Sequence, residues 1–372
     1  MSIAQAPTSK GMDGLLAMAA GLVRTRLSMD RPLWAALVVP DFDDGRTGLV
    51  IVFHHVVADG IAGLAILGEL TDGSPDAPDS DFPRPAPRRG QLALDAARDR
   101  LVAIRGLPHT IARVGQALVQ PGPSLRAHAP ESSLNQPTGA GQRFATLDCD
   151  LAAAREVAHV NHATINDVVL TAITGARRHL LAERGELIDE FVVSVPFSSR
   201  QGAVTGSLGN QSGAVPILLS AIGAALDRLR AVATITSVEK LSARGASTAV
   251  LGPLFRSLAR LGLYQWFVEH QRVVHTFVTN LKGPTSALSL GGFPIVAIVP
   301  LTVVVGNVTV SFAVLSYRWQ LTVTVVSDLT TCPDLDVLRD AVAAELAIIT
   351  GGSATRRDPA GPAPDRPLLP AR

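Results

Sequence analysis

Thr47-Gly48-Leu49-Val50-Ile51-Val52-Phe53 runs directly into His54-His55-Val56-Val57-Ala58-Asp59-Gly60, and a second apolar run, residues 61–70, follows at once. The first seven residues carry the β-branched and aromatic side chains that suit a strand. Residues 61–70 are apolar, contain no proline and read as a short helix. Two histidines therefore fall where a strand hands over to a helix. A strand ending at His55 would send the two rings to opposite sides, so only one faces a given cavity. Asp59 stands where exposed helix N–H groups favour a carboxylate. Gly60 allows a tight turn or a close neighbour.

Working outward, residues 33–39 and 47–53 flank Asp41-Phe42-Asp43-Asp44-Gly45-Arg46, whose Asp-Gly turn predicts a hairpin. Residues 14–27 have helical spacing, with Arg24 and Arg26 near the end that favours cations. Proline clusters across 71–90, a surface excursion. Residues 92–119 read as helical with a break near Pro108, and 120–141, rich in Pro, Gly, Ser and Asn, as a crossover. Beyond it a strand is expected at 143–151 and a helix at 151–160. A strong helix follows at 164–184, with Thr164 as N-cap and Asp167 completing a capping box. Strands are expected at 191–195 and 214–220, then helices at 221–243 and 247–270. Four strands (273–280, 295–304, 307–316 and 320–327) and a helix at 335–349 complete the pattern. This alternation predicts an α/β fold organised as an N-terminal half (1–120, carrying the histidines), a linker (121–142), a C-terminal half (143–350) and a disordered tail (351–372).

With 372 residues the chain can bury one large core or two packed halves. Hydrophobic residues make up 47% but aromatics only 4%, so Ala, Val and Leu must fill an α/β interior. A net charge of +1 leaves no overall field to draw nucleic acid. The only lysines are Lys10, Lys240 and Lys282, an arginine bias that fits a GC-rich bacterial genome. Cys149 and Cys332 have neither metal-ligand spacing nor a disulfide framework, which fits a reducing cytoplasm. Residues 1–10 lack the pattern of a signal peptide. The most apolar stretch, 293–314, has nearly the hydropathy of a membrane span. Pro294, Pro300, Gly306 and Asn307 interrupt it, and its Val and Thr content predicts successive buried strands instead. Residues 251–268 mix apolar and basic side chains at helical spacing, as either a lipid-surface helix or a packed core helix would.

A neutral imidazole can take the proton of a hydroxyl as that hydroxyl attacks a thioester, which is a complete role for one histidine. Two competing readings stand beside it. The pair could be structural, and His54, His55 and Asp59 are all metal-ligand types. Diverging strand histidines with no further ligand cluster make a metal site unexpected. Asp59 alone is explained as a helix cap.

The whole string His54-His55-x-x-x-Asp59-Gly60 resembles the active-site motif of the chloramphenicol acetyltransferase-like superfamily. Asp30-Arg31-Pro32-Leu33-Trp34, Asn166-Asp167-Val168-Val169-Leu170 with Gly175, and Val195-Pro196-Phe197-Ser198-Ser199-Arg200 narrow it further. With Gly209-Asn210, Thr279-Asn280-Leu281-Lys282-Gly283-Pro284 and Ser316-Tyr317, they resemble bacterial wax ester synthase/diacylglycerol acyltransferases. Departures are Phe197 for a valine, three positions of 279–284, and Trp319 for a glycine. The resemblance implies a two-subdomain fold of mixed sheets and helices around a central channel. It makes His55 the catalytic base, with His54, Asp59 and Gly60 as motif support and Arg200 as candidate structural partner of Asp59. Asn166, Asp167, Asn210 and Asn280 become structural or channel-lining. The implied reaction moves a long-chain acyl group from acyl-CoA to diacylglycerol or a fatty alcohol, without metal or cofactor. Contact with the inner membrane face or lipid inclusions would be peripheral. Family members usually have a further N-terminal segment, which this chain is expected to lack. Two alternatives stay open: a condensation-like transferase using carrier-protein thioesters, and a shortened, non-catalytic lipid-binding paralogue.

Overall fold

A computed structural model describes residues 2–3, 11–43, 45–73, 87–105, 129–198, 212–242, 258–352 and 355–356. A small sheet comes first, from β1 (Ser2–Ile3), β2 (Trp34–Asp43) and β3 (Arg46–Phe53), with α1 (Gly11–Arg24) between its first two strands. β2 and β3 form the expected antiparallel hairpin, and β1 lies parallel to β2. The turn depends on Gly45, whose φ of +79° suits a residue without a β-carbon. Its N–H donates to Asp41 Oδ1 at 2.8 Å. After the hairpin come α2 (Gly60–Leu70) and α3 (Arg89–Arg105). The helical reading of 92–119 is thus met through Arg105, and the break expected near Pro108 lies outside the described residues.

The remaining elements are β4 (Gln142–Asp150), α4 (Leu151–Val160), α5 (Ile165–Glu183), β5 (Glu190–Ser198), β6 (Ser212–Ser220), α6 (Ala225–Ser242) and α7 (Tyr264–His270). They continue with β7 (Thr276–Lys282), β8 (Ser289–Leu290), β9 (Phe293–Pro294), β10 (Val310–Tyr317), β11 (Gln320–Asp328), α8 (Leu335–Thr350) and β12 (Thr355–Arg356). Seven strands form one mixed sheet in the order β12-β4-β11-β10-β7-β5-β6, with β7 parallel to both of its neighbours. Every residue of β10 is buried, because both faces of the sheet are covered. On one face the helices α4, α5 and α8 share a core that includes Leu147, Leu170, Phe312, Val323, Leu338 and Leu346. On the other face Leu16 and Ala20 of α1 pack on Phe144 and Val326.

Residues 295–304 are the clearest correction to the expected pattern, since they form no strand. Pro300, in the middle of the run, has no N–H to donate to a ladder. Val299, Leu301 and Val304 instead pack against the α1 cluster, so their apolar character serves a strap rather than a sheet. A second correction concerns 247–270. Residues 247–257 lie outside the described set, and the remainder is broken at Gly262, whose φ of +71° ends a short helical turn. No residue of α7 is buried, so the described part of this stretch is not a packed core helix.

The capping box of α5 forms as expected. Thr164 accepts from the Asp167 N–H, and Asp167 Oδ2 accepts from the Thr164 N–H at 2.7 Å. Gly175 of this helix faces an ion pair between Arg228 of α6 and Glu345 of α8, and a β-carbon there would collide with both side chains. The described part of the crossover, 129–141, has no regular structure but is tightly held. Leu134 is fully buried, and Asn135 Nδ2 donates to His275 O at 3.2 Å. Of residues 351–372, expected to be disordered, Thr355 and Arg356 pair with β4, and residues beyond 356 lie outside the described set. Among the described residues no helix is long and apolar enough to cross a membrane.

Candidate active site

The hairpin delivers the histidines to one place and holds them through the backbone. β3 ends at Phe53, which pairs with Trp34. The His54 N–H donates to Leu33 O at 2.9 Å, so the Pro32-Leu33-Trp34 segment touches the histidine motif directly. His54 O then accepts from the Val57 N–H at 2.8 Å, and the chain turns. The strand therefore stops one residue before the pair, and it is the turn, not strand alternation, that separates the rings. That corrects the strand expected to end at His55.

The two rings have different surroundings. His54 Nδ1 accepts from the Val56 N–H at 3.2 Å, which ties the ring to its own loop. His55 is exposed, and among the described residues no group hydrogen-bonds its ring. Asp59 is buried at the N-terminus of α2, where Oδ1 accepts from the Ala62 N–H at 2.9 Å. Next to it Gly60 lies against β7. A β-carbon added there would sit 2.9 Å from Leu281 Cδ1, so the glycine sets how closely the motif approaches the large sheet.

Leu281 links the motif to the residues expected from the C-terminal half. Its neighbours Asn280 and Lys282 point to the opposite face of β7. There they line a half-open cleft of about 310 Å³ with Arg155, Ile165, Ser316 and Leu321. Asn280 Nδ2 reaches Asn166 Oδ1 at 3.5 Å, which brings two of the expected asparagines together. Asp167 does not join them. Besides the capping box, its Oδ1 accepts from Thr236 Oγ1 at 2.7 Å, and the buried carboxylate is fully occupied in fastening α5 to α6. Arg200 and Asn210 lie outside the described residues, as does the expected pairing of Arg200 with Asp59. Gly283 follows the cleft, and a β-carbon on it would strike Ser316 O, so the turn after β7 needs glycine.

Other chemically capable groups are structural. His275 is fully buried. Its Nδ1 accepts from the Val192 N–H at 2.9 Å and its Nε2 lies 3.1 Å from Pro130 O. Burial, aided by the nearby Arg177 charge, pushes its pKa down to about 3, so it is a neutral pin between β5 and the crossover. The Cys149 and Cys332 thiols are buried, and burial raises both pKa values, which removes thiolate chemistry. Among the described residues no three His, Cys, Asp or Glu side chains could hold a metal ion. Sequence reasoning missed Arg155 and Lys282 as cleft residues. One signal was present: Lys282 is one of only three lysines in a chain whose usual cation is arginine.

Comparisons with known proteins meet this geometry from outside. The family model described as the wax ester synthase/diacylglycerol acyltransferase catalytic domain matches residues 5–169, and the one for the C-terminal domain of that family matches 208–350. A Mycobacterium tuberculosis protein named "Probable diacyglycerol O-acyltransferase tgs1" is 28% identical over 370 residues, covering 94% of this chain and 79% of its own length. Among solved structures, the wax ester synthase/diacylglycerol acyltransferase of Marinobacter aquaeolei VT8 superposes with a TM-score of 0.64 at 20% identity. That match covers 94% of this chain and 79% of the other. The first condensation domain of the CDA synthetase gives 0.53 at 17% identity, covering 95% and 76%. At such identities these two structures speak for the fold alone, the chloramphenicol acetyltransferase-like architecture. The two family models, which together span most of the sequence, place the chain in the wax ester synthase/diacylglycerol acyltransferase family.

Proposed function

We propose that this chain transfers a long-chain acyl group from acyl-CoA to the hydroxyl of diacylglycerol or a fatty alcohol, with His55 as general base. In this reading the neutral His55 ring takes the hydroxyl proton while the oxygen attacks the thioester carbonyl. The tetrahedral intermediate collapses, the C–S bond breaks, and the imidazolium returns its proton to the departing CoA sulfur. No covalent enzyme intermediate forms, and the chemistry calls for a base and a stabilised oxyanion rather than a metal or cofactor. The observation that carries the proposal is the contrast between the rings: His54 is tied to its own loop, whereas His55 faces solvent with no described partner. Asp59 and Gly60 support it indirectly, by fixing the turn and seating it against β7.

The acyl acceptors are lipids, and contact with a lipid surface fits the exposed Leu261, Leu263, Tyr264 and Trp266 around α7. The test is ester formation from radiolabelled acyl-CoA with hexadecanol and with diacylglycerol, by the unaltered chain and by His55→Ala. Product from the unaltered chain and its loss in the variant are expected. An unchanged rate in His55→Ala would refute the assignment of the base. Product from acyl-carrier-protein thioesters but none from acyl-CoA would move the chain to the condensation-like reaction.

A further inference from the structure

The cleft beside Asn280 has a composition that proton transfer does not explain. Among the described residues its lining contains two cations, Arg155 on α4 and Lys282 at the end of β7, and no carboxylate. The acids closest along α4 are directed elsewhere or absent from the lining: Asp150 Oδ1 accepts from the Ala152 and Ala153 N–H groups, and Glu156 is not a lining residue. Asn280 and Ser316 add neutral polar groups, and Ile165 and Leu321 an apolar floor. Both cations are exposed, and neither has an ion-pair partner among the described residues. Two unpaired cations around a concave, partly apolar surface match a phosphorylated ligand with an organic body. A lysine is also unusual here, because this chain uses arginine almost everywhere else.

The cleft also stands in a definite relation to the proposed base. Lys282 follows Leu281, and Leu281 packs on Gly60, five residues from His55. The cleft lies on one face of β7 and the motif on the other, and the strand ends at Lys282. A ligand with its phosphates in the cleft can therefore send a long flexible arm over the end of β7 toward His55.

We propose that Lys282 and Arg155 hold a phosphate group of the acyl-CoA donor in the cleft at the ends of β7 and β10. The inference rests on the acyl-CoA reading above and assigns the donor's polar end to particular residues. The phosphates anchor the nucleotide, the pantetheine arm crosses the strand end, and the thioester is presented at the histidine turn.

The experiment is calorimetric titration of the full-length chain with CoA, with pantetheine, which keeps the thiol arm but has no phosphate, and with inorganic phosphate. Lys282→Gln and Arg155→Gln are each expected to raise the Kd for CoA roughly tenfold, the effect of one charge-assisted hydrogen bond. Lys282→Arg should restore affinity to within about twofold, since it returns the charge. Pantetheine binding should not distinguish the variants from the unaltered chain. Equal CoA affinity in the unaltered chain and both glutamine variants would overturn the proposal. So would inorganic phosphate binding as tightly as CoA with the same dependence on Lys282, because the cleft would then be a general anion site. If CoA fails to bind the unaltered chain at all, the acyl-CoA reaction itself is refuted, a result distinct from loss of the subsite alone.

Discussion

His54 and His55 are adjacent in sequence and opposite in circumstance. One ring accepts a hydrogen bond from its own loop, and the other is open to solvent. The predicted consequence is asymmetric. His55→Ala should lower kcat by about 10²–10⁴-fold with an unchanged melting temperature, whereas His54→Ala should act mainly by loosening the turn and lowering the melting temperature. Steady-state kinetics beside thermal denaturation separates the two. His275 makes a different prediction. Its folded pKa is depressed from 6.5 to about 3, so between those values the unfolded chain binds a proton that the folded chain refuses. Stability should therefore fall as pH drops from 6.5 toward 3, and a melting-temperature series should be flatter in His275→Gln over the same window. The histidine motif was legible because its residue types are rare in combination. The burial of His275 was not, since it depends on Phe191 and the 130–135 segment arriving from distant parts of the chain.

At the level of elements, regular periodicity was read well and irregular packing poorly. The helix α5 and its capping box follow from short-range chemistry, the reciprocal bonds of Thr164 and Asp167. Thr164→Ala should cost about 1 kcal/mol in urea unfolding. Residues 295–304 show the opposite situation. Their valines and leucine look like a strand, but Pro300 interrupts any ladder and α1 provides the partner surface, which no local window reveals. The exposed α7 region yields a prediction of its own. Leu263→Ser with Trp266→Ser should reduce co-sedimentation with anionic phospholipid vesicles several-fold while leaving the melting temperature in place, because neither side chain is buried.

In the molecule as a whole, the large sheet draws its strands from β4 onward, and it is buried on both faces through β10 and β11. The order of its strands was not readable, because the parallel pairing of β7 with β10 and β5 links segments separated by long connections. The small sheet that carries the histidines is much less buried. Most residues of β2 and β3 are partly or fully exposed, and among the described residues its anchors on the rest of the molecule are α1, the contact of Gly60 with Leu281, and, just beyond α2, the Asp72 carboxylate, which accepts from the Gly291 and Gly292 N–H groups at 2.8 Å. Regions with few buried apolar contacts open at lower free energy than the global transition. Gentle warming should thus undock the histidine-bearing hairpin while the seven-stranded scaffold persists. Ester synthesis would fade several degrees below the far-ultraviolet melt, and it would return on cooling as long as the scaffold had not been breached.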